Sequence, residues 1–95
     1  MKNIFIVNPV AGGRDVSDEL ARALSITAKE GGISQEDYAI TRTTRVGHAR
    51  EIAEAYAKTG DRVRLFSVGG DGTLNEIING AYPYKNAAVG CIPYG

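Results

Sequence analysis

Four short apolar runs alternate along this chain with segments whose apolar residues recur at helical spacing, and glycine, proline or threonine marks most of the changes. Residues 4–7 (Ile4, Phe5, Ile6, Val7) are continuous and partly β-branched, which predicts a buried strand. Asn8-Pro9-Val10-Ala11-Gly12-Gly13 ends it. Val16, Leu20, Ala23, Leu24 and Thr27 then share one helical face, with Asp15 or Ser17 as cap and Gly31-Gly32 as stop. Tyr38, Ile40 and Arg42 alternate with Ala39 and Thr41, predicting a second, less buried strand. Thr43-Thr44 precedes a helical face of Ala49, Ile52, Ala53, Tyr56 and Ala57. Residues 63–68 form a third strand, a helix runs from about Thr73 to Asn79, and residues 87–92 form a fourth strand before Pro93.

The order β-α-β-α-β-α-β requires crossover connections, so the fold class is α/β: a three-layer sandwich around a parallel, doubly wound sheet. In that architecture ligands bind at the carboxyl ends of the strands. The glycine turns after the first and third strands both lie on that edge. With 95 residues the chain makes one domain or part of one, and can bury roughly two-thirds of its unfolded surface. Eleven basic and eleven acidic residues cancel. No bulk field then recruits nucleic acid, and any phosphate recognition must be local. The single Cys91 excludes an intramolecular disulfide, fits a reducing cytoplasm, and reads as a small core residue within its apolar run. No stretch approaches the ~20 apolar residues of a membrane span.

Gly69-Gly70-Asp71-Gly72-Thr73 carries the strongest chemical signal. Glycines let a ligand approach the backbone, and the helix that follows offers unpaired N–H groups to an anion. Thr73 could cap that helix or donate its hydroxyl to a phosphate oxygen. A carboxylate at Asp71 repels phosphate unless a cation intervenes, and Mg²⁺, bound directly or through water, resolves the conflict. The bland alternative is a tight turn with Asp71 as an ordinary cap. The pattern is neither a Walker A loop nor a dinucleotide fingerprint, because no Gly-Lys-Ser/Thr follows and Asn75 stands where the last glycine would be. The Asn8 turn alone is a weak motif; two such turns on one sheet edge say more. Residues 43–49 are a third candidate on that edge, with Thr43 and Thr44 hydroxyls near a nucleotide and Arg45 able to meet phosphate. His48 is expected to face solvent in the first helical turn. One histidine and one cysteine leave no zinc site.

Taken together, Asn8-Pro9-x-x-Gly12, Thr43-x-x-x-Gly47-His48-Ala49, residues 69–80 and Gly90-x-Ile92-Pro93-x-Gly95 resemble the diacylglycerol kinase catalytic domain family, which includes sphingosine and ceramide kinases. The Leu74-Asn75-Glu76 extension is the most specific part. The resemblance is nearest to bacterial-type soluble lipid kinases, which share the N-terminal fold of NAD kinases. It implies ATP as phosphoryl donor, Mg²⁺ as cofactor and a diacylglycerol-like lipid alcohol as acceptor. It also implies a cytoplasmic enzyme with peripheral membrane contact.

By the same resemblance the ATP site takes Asn8, Pro9, Val10, Ala11, Gly12, Thr43, Gly69, Gly70, Asp71, Gly72, Thr73, Leu74 and Asn75. Asp71 is the essential residue, with a metal bound at it or through water. Glu76 and Asn79 are expected to support the loop. The family pattern continues past Gly95 with a Thr, then Asn-Asp-Phe, and a β-rich lipid-acceptor domain. Residues 1–95 are therefore expected to be an N-terminal ATP-binding subdomain, inactive alone. Its incomplete sheet edge could promote a homo-oligomer. An NAD kinase or phosphofructokinase-like enzyme and a non-catalytic nucleotide-binding module are the rival readings, and Asn8-Pro9 argues against the first two.

Overall fold

The computed structural model describes residues 2–9, 17–29 and 37–93. Its elements follow the expected order: β1 (Lys2–Val7), α1 (Ser17–Lys29), β2 (Tyr38–Arg42), α2 (His48–Ala57), β3 (Val63–Gly69), α3 (Asp71–Ala81) and β4 (Ala87–Pro93). Residues 10–12, Asp15 and the Gly31-Gly32 stop lie outside the described residues.

All strand pairs are parallel, and the sheet runs β2-β1-β3-β4. The chain first steps from β1 to β2, then returns across β1 to β3 and continues outward to β4. The direction of winding reverses between β1 and β3, which makes their carboxyl ends the topological switch point.

Alternation along each strand divides the core into two layers. On one face Ile4, Ile6, Val63 and Leu65 pack with Ala49, Ile52 and Ala53 of α2 and Ile77 and Ala81 of α3. On the other, Phe5, Val7 and Val68 pack with Leu20 of α1, joined by the half-buried Leu24, Ile40 and Ile92. Phe5 stacks on Phe66 at 4.8 Å between ring centroids and meets Tyr38 edge-on. Asp18 and Glu19 sit in the first turn of α1, where the positive end of the helix favours them.

Two expectations need correction. Cys91 is exposed, not a core residue. It pairs in register with the buried Ser67, but β4 is an outer strand of the sheet. Helix α3 begins at Asp71, so Gly70 is its N-cap and neither Thr73 nor Asp71 caps it.

Ser67 is fully buried on the helix-facing side of β3, and its hydroxyl has no hydrogen-bond partner. A buried hydroxyl without a partner costs about 1–3 kcal/mol of desolvation. Ser67→Ala should therefore leave the urea midpoint unchanged or raise it; a large drop would mean that the hydroxyl is paired.

At the amino-terminal edge of the sheet, Asn86 Nδ2 donates to the carbonyls of Ala57 and Asp61, both at 2.8 Å. This ties the α2–β3 and α3–β4 connections together at the end opposite the switch point.

Candidate functional site

The three candidate turns meet because each strand's hydrogen bonding continues just past its end. The Thr43 N–H donates to the Val7 carbonyl at 2.8 Å, and the Asn8 N–H donates to the Val68 carbonyl at 3.4 Å. Thr43, Asn8 and Gly69 thus stand in a row along the carboxyl edge of β2, β1 and β3.

The turn out of β3 is built on Gly69, whose φ of 144° is open essentially to glycine alone. Gly70 is extended (φ −96°, ψ −173°) and lacks a side chain that could cap. At the amino end of α3 the Leu74 N–H donates to the Gly70 carbonyl at 3.3 Å. The N–H groups of Asp71, Gly72 and Thr73 consequently have no acceptor within the helix. Three free donors at the positive end of an 11-residue helix favour an anion.

Asn8, Pro9, Thr43, Thr44, Arg45, Val46 and Glu76 line an open cavity of about 580 Å³ at this edge. Glu76 was expected only to support the loop. Five positions after Asp71, it falls on the flank of α3 beside the buried stripe of Thr73, Ile77 and Gly80, and so turns toward the β1 and β2 turns. Asp71, Gly72, Leu74 and Asn75 line a separate, shallower depression with Ile78 on the outward side of α3. Thr73 is buried against the core. The predicted residues therefore divide in two: Asn8, Pro9 and Thr43 in the cavity, and the α3 residues around the amino end of that helix. Val10, Ala11 and Gly12 are outside the described residues.

The cavity's outer wall is the turn at residues 43–47. The His48 N–H donates to the Arg45 carbonyl at 3.2 Å, and Gly47 takes φ 86°, ψ −12°, as the third residue of a type II turn requires. Gly47→Ala should cost about 1–2 kcal/mol from the left-handed backbone alone, read as a lower urea midpoint.

Arg45 does not stand free to meet phosphate; it forms an ion pair with Glu51 in the first turn of α2. The hydrogen bond from Arg45 comes first among the causes that hold the Glu51 carboxyl below the usual carboxylate range. The Glu51 hydrogen bond, then its charge, raise the Arg45 guanidinium. A depressed carboxyl stabilises above its ordinary range and loses that effect as pH falls through the lowered value. Both groups are exposed, so salt screens the pair strongly. His48 is half-buried, and its ring turns back to the loop: the Thr44 N–H donates to Nδ1 at 2.9 Å.

Among the described residues no group of three or more His, Cys, Asp or Glu side chains could hold a metal, and no helix is long and apolar enough to cross a membrane.

Fold and edge together define a doubly wound α/β domain whose topological switch point lies at the carboxyl ends of β1 and β3. Residues 2–95 match the diacylglycerol kinase catalytic domain, and the chain belongs to that family of lipid kinases. It is 37% identical over 92 residues to a diacylglycerol kinase of Staphylococcus aureus, covering 96% of this chain and 28% of the relative. Over 96 residues it is 34% identical to sphingoid long-chain bases kinase 1 of Arabidopsis thaliana, covering 99% of this chain and 12% of that protein. The crystal structure of a diacylglycerol kinase from Bacillus anthracis str. Sterne superposes with a TM-score of 0.72 at 30% identity, over 99% of this chain and 33% of that one. The chain thus spans about a third or less of each of these relatives.

Proposed function

We propose that this chain is the ATP-binding subdomain of a lipid kinase that transfers the ATP γ-phosphoryl group to the hydroxyl of diacylglycerol or a related lipid alcohol. The observation that carries this reading is the row of Thr43, Asn8 and Gly69 on one sheet edge, beside the open amino end of α3. Such an edge supplies backbone donors for phosphates, and the adjoining cavity supplies polar groups for the rest of a nucleotide.

In this reading the N–H groups of residues 71–73 hold phosphate oxygens. Thr43, Thr44 and Glu76 offer hydroxyl and carboxylate partners to ribose or base, and the 93% exposed Val46 offers an apolar surface. Asp71 is exposed beside these donors. One carboxylate, with phosphate oxygens and water completing the shell, is how Mg²⁺ commonly sits in nucleotide sites, so the residues present fit that ion. Bound there, Mg²⁺ would neutralise charge on the transferred group. The chain's own contribution is positioning: two turns and a helix terminus fix the donor so that its γ-phosphoryl group faces outward to an acceptor.

The acceptor side is assigned to sequence that the longer relatives carry beyond the matched part. Residues 1–95 alone should therefore bind nucleotide without phosphorylating lipid. Radiolabelled ATP with Mg²⁺ and diacylglycerol in mixed micelles tests this. The expected result is no labelled lipid from the 95-residue chain and labelled lipid from a longer protein that carries it. Robust lipid labelling by the chain alone would overturn the division, and labelling of NAD by the longer protein in place of lipid would overturn the substrate class.

A further inference from the structure

Glu76 of α3 and the Asn8-Pro9 turn after β1 form part of the cavity wall. The remaining wall, residues 43–46, belongs to no element, yet four of its side chains line the cavity. Among the described residues, its backbone anchor in the sheet is the Thr43 N–H on the Val7 carbonyl. From Thr44 onward, its backbone is tied at the far end by one residue in two ways.

That residue is His48, the first of α2, and it closes the turn twice. Its main-chain N–H donates to the Arg45 carbonyl, while ring Nδ1 receives the Thr44 main-chain N–H at 2.9 Å and lies 3.2 Å from Thr44 Oγ1. A backbone N–H can only donate, so Nδ1 must present its lone pair and the ring proton must sit on Nε2. We propose that His48 is a positioning residue for the nucleotide cavity: its neutral imidazole, as the Nε2–H tautomer, fixes the Thr43–Thr44 backbone that presents the cavity wall. The role rests on the reading of this cavity as the nucleotide site. His48 itself is absent from the cavity lining and acts through Thr44. The Arg45–Glu51 pair holds the same turn from outside, but through two exposed, salt-screened side chains, which leaves the ring as its more specific tie.

The substitutions that isolate the ring's contribution are His48→Ala, which removes the acceptor, and His48→Asn, whose Oδ1 stands where Nδ1 does and can accept the same N–H. In the full chain, ¹⁵N spectra of the imidazole should show Nδ1 unprotonated. Hydrogen exchange at the Thr44 amide should quicken in His48→Ala and stay slow in His48→Asn. Mg-ATP affinity should fall about three- to tenfold in His48→Ala and stay within about twofold in His48→Asn, as expected for loss or retention of one hydrogen bond. A proton on Nδ1, or parental Thr44 exchange and Mg-ATP affinity in His48→Ala, would overturn the proposal. Should His48→Ala fail to fold, the ring spectrum and His48→Asn decide. If the parent chain shows no Mg-ATP binding, the nucleotide reading fails, and the ring spectrum with Thr44 exchange still decides whether His48 holds the turn.

Discussion

Asp71→Asn, placed in an active kinase that carries this chain, should lower turnover by on the order of 10²–10³ while leaving the fold intact. The separation of the two effects follows from the position of the side chain. Asp71 is exposed at the first turn of α3, and Gly70, not Asp71, is the N-cap. Losing its charge removes only a favourable interaction with the helix terminus, about 0.3–1 kcal/mol. With Mg²⁺ held at Asp71 as proposed, catalysis should lose more, because a neutral amide is a poor ligand for that ion and leaves phosphate charge uncompensated. The check is turnover at saturating Mg-ATP beside a thermal melt. Turnover equal to the parent's would remove Asp71 from the mechanism, and a collapsed melt would make it a structural residue.

Gly80→Ala should be the most damaging small substitution for stability. A Cβ at Gly80 would lie 2.3 Å from the Arg50 carbonyl oxygen and 3.1 Å from the Ala53 methyl carbon. The obstacle is the α2 backbone, which cannot swing aside as a flexible side chain would. The two helices would have to part, and both pack on the same core layer of Ile52, Ala53, Ile77 and Ala81. Overpacking of this kind costs about 1–3 kcal/mol, occasionally more. Alanine's better helix propensity returns about 1 kcal/mol at most. A net loss of about 2 kcal/mol corresponds to roughly 10 °C in Tm for a domain of this size. Gly72 on the same helix is the control: a Cβ there meets nothing within 4 Å, so Gly72→Ala should leave Tm unchanged or raise it. Equal melts for the two variants would mean that α2 and α3 do not meet at Gly80.

The periodicities made the element order legible, because alternation in residues 38–42 and helical spacing from Ala49 to Ala57 are local properties of the chain. The order of strands across the sheet is not local. It decides that β4 lies outermost, which is why the apolar run around Cys91 reads as core yet leaves the thiol exposed. The same limit hid Glu76: its helical angle places it beside the buried stripe, but only the packing of α3 against α2, β3 and β4 shows what that flank faces. His48 reads from sequence as a solvent-facing residue of a first turn, since nothing in the spacing reveals a ring bonded backward to Thr44. At the β3 turn, Gly69 takes the positive φ, while Gly70 and Gly72 do not. The Gly-Gly-Asp-Gly motif located the turn, but not which glycine makes the bend.

On the proposed reading, the row of turns at the carboxyl edge holds the phosphates and sugar of ATP. Titrating the ¹⁵N-labelled chain with Mg-ATP and following its amide resonances tests this directly. Saturable shifts should concentrate at Asn8, at Thr43 to Val46 and at Gly69 to Thr73. Asp61 and Asn86, tied together at the opposite edge, should stay still. No shift at Gly69 to Thr73, or shifts centred on Asp61 and Asn86, would contradict it.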